Sequence, residues 1–239
     1  MNDNIKTCDK NETRGDFAAS SLSVAEIIKR CDHTFLKVTA TKNDIFKTIN
    51  QGIKYSAASV CIPPSYVKSA FDYAKGRIKI CTVIGFPSGY STTASKVFEA
   101  DEAAKNGADE IDMVINVGEL KAKNYDYVLN EIKAVKAACG GKILKVIIET
   151  CLLTDDEKIK ACELVSAAKA DFIKTSTGFS TAGATVADVK LMRRYCDKNV
   201  KIKAAGGIAS IDQAREFLLA GADRIGSSRL IKEAEEKGL

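Results

Sequence analysis

Short apolar runs alternate with longer amphipathic stretches along most of the chain. The runs lie at 31–36 (CDHTFL), 55–61 (YSAASVC), 78–84 (IKICTVI), 110–115 (EIDMVI), 143–148 (ILKVII), 171–174 (DFIK), 200–204 (VKIKA) and 223–226 (DRIG). Each has the length of a strand. Between them, segments such as 93–105, 125–138, 155–168 and 211–220 carry apolar residues at helical spacing. Ser23 with Glu26, Thr154 with Glu157 and Ser210 with Gln213 have the capping-box form that opens a helix. Gly107 and Gly221, in NGAD and AGAD, stand where a helix stops before the next strand. Eight such strand–helix units predict an α/β fold, a (β/α)8 TIM barrel, as a single domain over residues 21–239. An open doubly wound sheet usually has fewer strands, and the G-x-G-x-x-G fingerprint is missing. Residues 1–20 are polar and aperiodic and read as a mobile leader.

Composition narrows the function classes. The 36 basic and 31 acidic residues are interspersed, aromatics make up 7% and Trp is absent, which argues against nucleic acid as a partner. The net charge of +5 suits a small anionic substrate. No apolar run approaches the length of a membrane span. The eight cysteines form no CxxC pair and several sit in apolar runs, so they read as reduced thiols of a cytoplasmic protein. With one histidine, His33, and no zinc spacing, no metal site is expected.

The charged residues inside the runs are harder to explain. Alternation along a strand places Asp112 with Val114 opposite Ile111 and Met113, and Lys145 with Ile147 and Glu149 on one face. It sets Lys174 against Ile173 and Lys203 against Ile202. If the large apolar side chains face the helices, Asp112, Lys145, Lys174 and Lys203 all point into the barrel, whose C-terminal mouth is the usual place for an active site. One explanation is a structural ion-pair network. The other is chemistry: Lys174 and Lys203 on neighbouring strands repel each other's charge, and a neutral lysine amine attacks carbonyls to form a Schiff base. Asp112 then supplies a carboxylate for proton transfer. AAGGI (204–208) and IGSSR (225–229) follow the seventh and eighth strands, where this fold often binds phosphate. Gly206 and Gly207 would offer backbone N–H groups, Ser227 and Ser228 hydroxyls, with Gly178 beside them. A phosphosugar isomerase and a non-catalytic sugar-phosphate binder are the competing readings.

The motifs DHTFLK (32–37), VCIPP (60–64), VIGFPSG (83–89), EIDMVINVG (110–118), LKVIIET (144–150), FIKTSTGF (172–179), IKAAGGI (202–208) and RIGSS (224–228) together resemble the deoxyribose-phosphate aldolase family. The resemblance implies a class I aldolase without metal or organic cofactor. Such an enzyme reversibly cleaves 2-deoxy-D-ribose 5-phosphate to D-glyceraldehyde 3-phosphate and acetaldehyde in deoxynucleoside catabolism. It implies Lys174 as the Schiff-base lysine, Lys203 as the residue that lowers its pKa, and Asp112, through a water, as the proton relay. Lys145 would be a supporting charge near Asp112. Asp32 and Thr34 would line the site, with Cys61 on its wall, and Gly178, Gly206, Gly207, Ser227 and Ser228 would hold the phosphate. The expected partners are small phosphosugars and aldehydes. A homodimer is expected because barrels of this kind commonly pair.

Overall fold

The computed structural model describes residues 22–238, so the leader expected at 1–20 lies outside the described residues. Eight parallel strands close a barrel in sequence order. They are β1 (Cys31–Thr34), β2 (Ser59–Ile62), β3 (Ile80–Ile84), β4 (Glu110–Val114), β5 (Ile143–Ile147), β6 (Phe172–Lys174), β7 (Lys201–Ala205) and β8 (Arg224–Ser227). Each lies within, or within one residue of, a run marked by the hydrophobic pattern. The (β/α)8 TIM barrel is therefore the fold, and β1 closes on β8 through Asp32 opposite Gly226.

The strands hold because their two faces differ. Ile111, Met113, Leu144, Val146, Ile173, Ile202 and Ile225 point outward into one large apolar layer shared with the helices. At the usual ~25 cal/mol per Å² of apolar surface, that layer is the main favourable contribution to folding. The opposite faces carry the charged residues together with Val83, Val114, Ile147 and Phe172, which stand outside that layer, and close on the barrel axis.

Helix boundaries follow their local signals. Thr154 and Glu157 complete a reciprocal capping box at the helix Asp155–Ala167, as do Ser23 and Glu26 at Val24–Ile28. Ser210 caps only one way: its hydroxyl accepts the Gln213 N–H, but the Gln213 side chain turns back to the N–H of Ala209 at 2.8 Å. Gly107 ends the helix Thr93–Lys105 with φ of 100°, and a Cβ there would come within 2.4 Å of the Phe71 ring. The short helix Val117–Lys121 is an extra element between β4 and the helix Tyr125–Ala138. Seven cysteines of the described residues are free thiols, five of them buried. No helix among the described residues is long and apolar enough to cross a membrane.

Candidate active site

Adjacent strands align so that the interior charges meet. Asp112 on β4 is level with Lys145 on β5, and Lys174 on β6 with Lys203 on β7. Asp112 is the hub. Its Oδ1 takes Lys145 Nζ at 2.7 Å, and its Oδ2 takes Lys203 Nζ at 2.7 Å and Lys174 Nζ at 2.9 Å. Beneath it, Glu110 pairs with Lys145 at 2.7 Å, and Asp32 pairs with Lys203 at 2.5 Å. Arg224 bridges Asp32 and Glu110, and Ser59 donates to Asp32. All four interior charges expected from the strand pattern are therefore brought together.

The cluster is nearly sealed from water, so its charges matter. Burial alone would push the Asp112 carboxyl up, but Lys145, Lys174 and Lys203 override this and hold it well below the ordinary carboxylate range. Asp32 is lowered too: Lys203, Lys145 and Arg224 outweigh its burial. For Lys145 and Lys203 burial opposes the charge, yet the neighbouring carboxylates win and raise both above the ordinary lysine value. Fully ionised, the group holds three carboxylates (Asp32, Glu110, Asp112) against four cations (Lys145, Lys174, Lys203, Arg224). The cluster therefore holds one cation in excess in a low-dielectric interior.

Lys174 is also the member of this group that opens on a cavity of about 370 Å³ at the barrel mouth. The same cavity is lined by Gly178, Gly206, Gly207, Ser227 and Ser228, and by Thr34. The N–H groups of Gly178, Gly206 and Gly207 meet no acceptor among the described residues. Gly206 has φ of 86°, and a Cβ there would come within 3.0 Å of Gly183 Cα, so the turn admits no side chain without movement. Lys37 and Arg229 also line the cavity and add positive charge to it.

Three expectations need correction. Ser227 does not offer a free hydroxyl: its Oγ donates to Ile208 O at 2.7 Å and accepts the N–H of Arg229, bracing the loop. Asp32 and Cys61 do not line the cavity. Asp32 lies below it in the ion cluster, and Cys61 packs inside the barrel with Cys81 and Val83. Glu149 does not continue the Lys145 face, because β5 ends at Ile147 and Glu149 turns away at φ of 53°.

Sequence reasoning also passed over Glu110, Arg224 and Cys81. Glu110 lies two residues before Asp112 on the same strand, so period-two alternation was enough to find it. Cys81 donates to Asp112 at 3.3 Å and accepts from Lys145 at 3.2 Å. Cys61, Cys81 and Asp112 bring ligand-type atoms within 4.8 Å of one another, as do Asp32, Cys81 and Glu110. The lysine ammonium groups already occupy both oxygens of Asp112, so a metal cation there would have to displace them.

Comparison with known proteins agrees with this geometry. A model of the DeoC/LacD family aldolases matches residues 26–226. A deoxyribose-phosphate aldolase of Clostridioides difficile is 59% identical over 206 residues, covering 86% of this chain and 94% of that protein. One from Streptococcus pyogenes is 56% identical, covering 88% and 95%. Among solved structures, the tetrameric deoxyribose phosphate aldolase of Aeropyrum pernix superposes with a TM-score of 0.83 at 30% identity, covering 91% of this chain and 94% of that one.

Proposed function

The chain belongs to the DeoC/LacD aldolase family, and from that membership we propose that it is a deoxyribose-phosphate aldolase whose Schiff-base nucleophile is Lys174. It reversibly cleaves 2-deoxy-D-ribose 5-phosphate to D-glyceraldehyde 3-phosphate and acetaldehyde. The observation that carries the residue assignment is placement. Lys174 is the amine of the ion cluster that faces the cavity, and the unpaired amides of Gly178, Gly206 and Gly207 face the same space.

Neutral Lys174 attacks C1 of the open-chain sugar, and the carbinolamine loses water to give an iminium ion. The positive charge returns to Nζ beside Asp112, which stabilises it. Asp112 relays the proton from the C3 hydroxyl, the C2–C3 bond breaks, and its electrons flow into the iminium to leave an enamine. Glyceraldehyde 3-phosphate departs. C2 of the enamine is protonated, and water hydrolyses the imine to release acetaldehyde and free Lys174. The phosphate anchored at the far end holds C1 against Nζ. An isomerase would want a free carboxylate at the reacting carbons, whereas Asp32, Glu110 and Asp112, the carboxylates of the cluster around Lys174, are each engaged by cations. The homodimer and the cytoplasmic setting belong to the same reading.

The test is borohydride reduction of the folded protein with acetaldehyde, followed by peptide mass mapping. A two-carbon adduct on Lys174 is expected. A folded protein with no adduct at any strand lysine would end the aldolase reading.

Lys203 has its own signature. It brings a second positive charge to the Asp112 oxygen that holds Lys174. In Lys203→Leu that charge is gone from the reacting amine's neighbourhood. Turnover at neutral pH is expected to fall at least about tenfold, the size of ~1.4 kcal/mol of charge interaction. A rate within about twofold of the parent would remove Lys203 from the role.

A further inference from the structure

The reaction scheme leaves one buried carboxylate at the mouth without a task. Glu149 is 3% exposed and pairs with no cation among the described residues. Its backbone sits at φ 53°, ψ 66°, a left-handed conformation that non-glycine residues adopt at a cost. Both of its oxygens accept from one residue of the next loop, and Oε1 also lies 3.9 Å from the Cys151 thiol. The Thr177 N–H lies 3.3 Å from each, and the Thr177 hydroxyl donates to Oε2 at 2.5 Å. Thr177 Oγ1 then accepts the N–H of Phe179 at 3.0 Å.

The consequence falls on the residue between. The amides on either side of Gly178 are both tied back, one to Glu149 and the other to Thr177 Oγ1. The Gly178 N–H is left without an acceptor among the described residues, on a glycine that lines the cavity. Glu149 itself does not line that cavity. It stands behind the loop, beside a smaller pocket with Leu152 and Phe179. We propose that Glu149 is a positioning residue: through Thr177 it aims the Gly178 amide at the substrate phosphate and so sets the preference for phosphorylated over unphosphorylated sugar. The chemistry requires a carboxylate. Thr177 presents two donors, N–H and O–H, and an ionised carboxylate is the acceptor-only group that takes both. A glutamine would turn its NH2 toward one of them.

This proposal rests on the aldolase reading and on the phosphate end of the cavity. It is tested by steady-state kinetics of Glu149→Gln on 2-deoxyribose 5-phosphate and on unphosphorylated 2-deoxyribose. KM for the phosphosugar is expected to rise about tenfold, the size of one lost hydrogen bond to a charged group, with kcat and the kinetics of the unphosphorylated sugar within about twofold of the parent. Inhibition by inorganic phosphate should weaken in step. Thr177→Val, which keeps Glu149 intact, should reproduce the KM effect, and Thr177→Ser should restore the parent ratio. Equal losses on both sugars, an unmoved KM, or a Ser variant that behaves like Val would each overturn it. Acetaldehyde trapping on Lys174 separates the two levels of failure. An adduct with no change in the KM ratio sinks the positioning role alone, and no adduct in the parent protein sinks the aldolase reading beneath it.

Discussion

Lys174→Met is expected to lower kcat by at least about 10⁴-fold while the barrel stays folded, because the covalent route through an imine is lost outright. Two features make this a sharp expectation. First, no neighbour can take over. Lys203 is 1% exposed and held by both Asp32 and Asp112, and Lys145 lies deeper, held by Glu110 and Asp112. Second, the substitution is benign to the cluster's charge. It removes the one cation in excess and leaves Lys145, Lys203 and Arg224 facing Asp32, Glu110 and Asp112. Methionine also fills similar space. The melting temperature is therefore expected to hold or rise, and phosphate inhibition to stay, since Gly178, Gly206 and Gly207 are untouched. Residual turnover above about 1% of the parent would show that another group forms the imine. A collapse of stability would show that Lys174 serves as a structural cation instead.

The residues that were legible beforehand share a physical property. Lys174, Lys203, Lys145 and Asp112 stand inside strands, where alternation with Ile173, Ile202, Val146 and Ile111 leaves no doubt about which face each occupies. A buried charge in such a place is costly, so its presence is informative. Where the strand ends, the rule ends with it. Extending the alternation past Ile147 predicts Glu149 on the Lys145 face, but a left-handed turn intervenes and sends it to Thr177. The position of Ser227 at the end of β8 predicts it as a phosphate hydroxyl. Its actual partner, Ile208 O, belongs to the loop after β7, and no one-dimensional pattern brings the two together. Strand identity is local information, and loop hydrogen bonding is not.

Asp112→Asn is expected to cost both catalysis and stability, and pH tells the two apart. Loss of the proton relay should lower kcat by about 10²–10⁴-fold. Imine formation should survive, because removing a negative charge next to Lys174 favours its neutral form. The acetaldehyde adduct is therefore expected in a variant that no longer cleaves sugar. Stability should fall by about 3–5 kcal/mol, the usual result of taking one partner from a buried ion cluster, since the three lysines that met at this carboxylate now meet an amide. The sign of the pH dependence follows from the folded carboxyl being held well below its ordinary value. Its contribution to the parent protein is complete above the ordinary carboxylate range, near pH 4, and is lost as pH falls through the depressed folded value. The asparagine variant never has that contribution. The gap in melting temperature between the two proteins should then be widest near neutrality and narrow on acidification below about pH 4. A gap independent of pH would mean that Asp112 stabilises the barrel by shape and not by charge. Sugar cleavage within a few-fold of the parent would place the proton relay elsewhere.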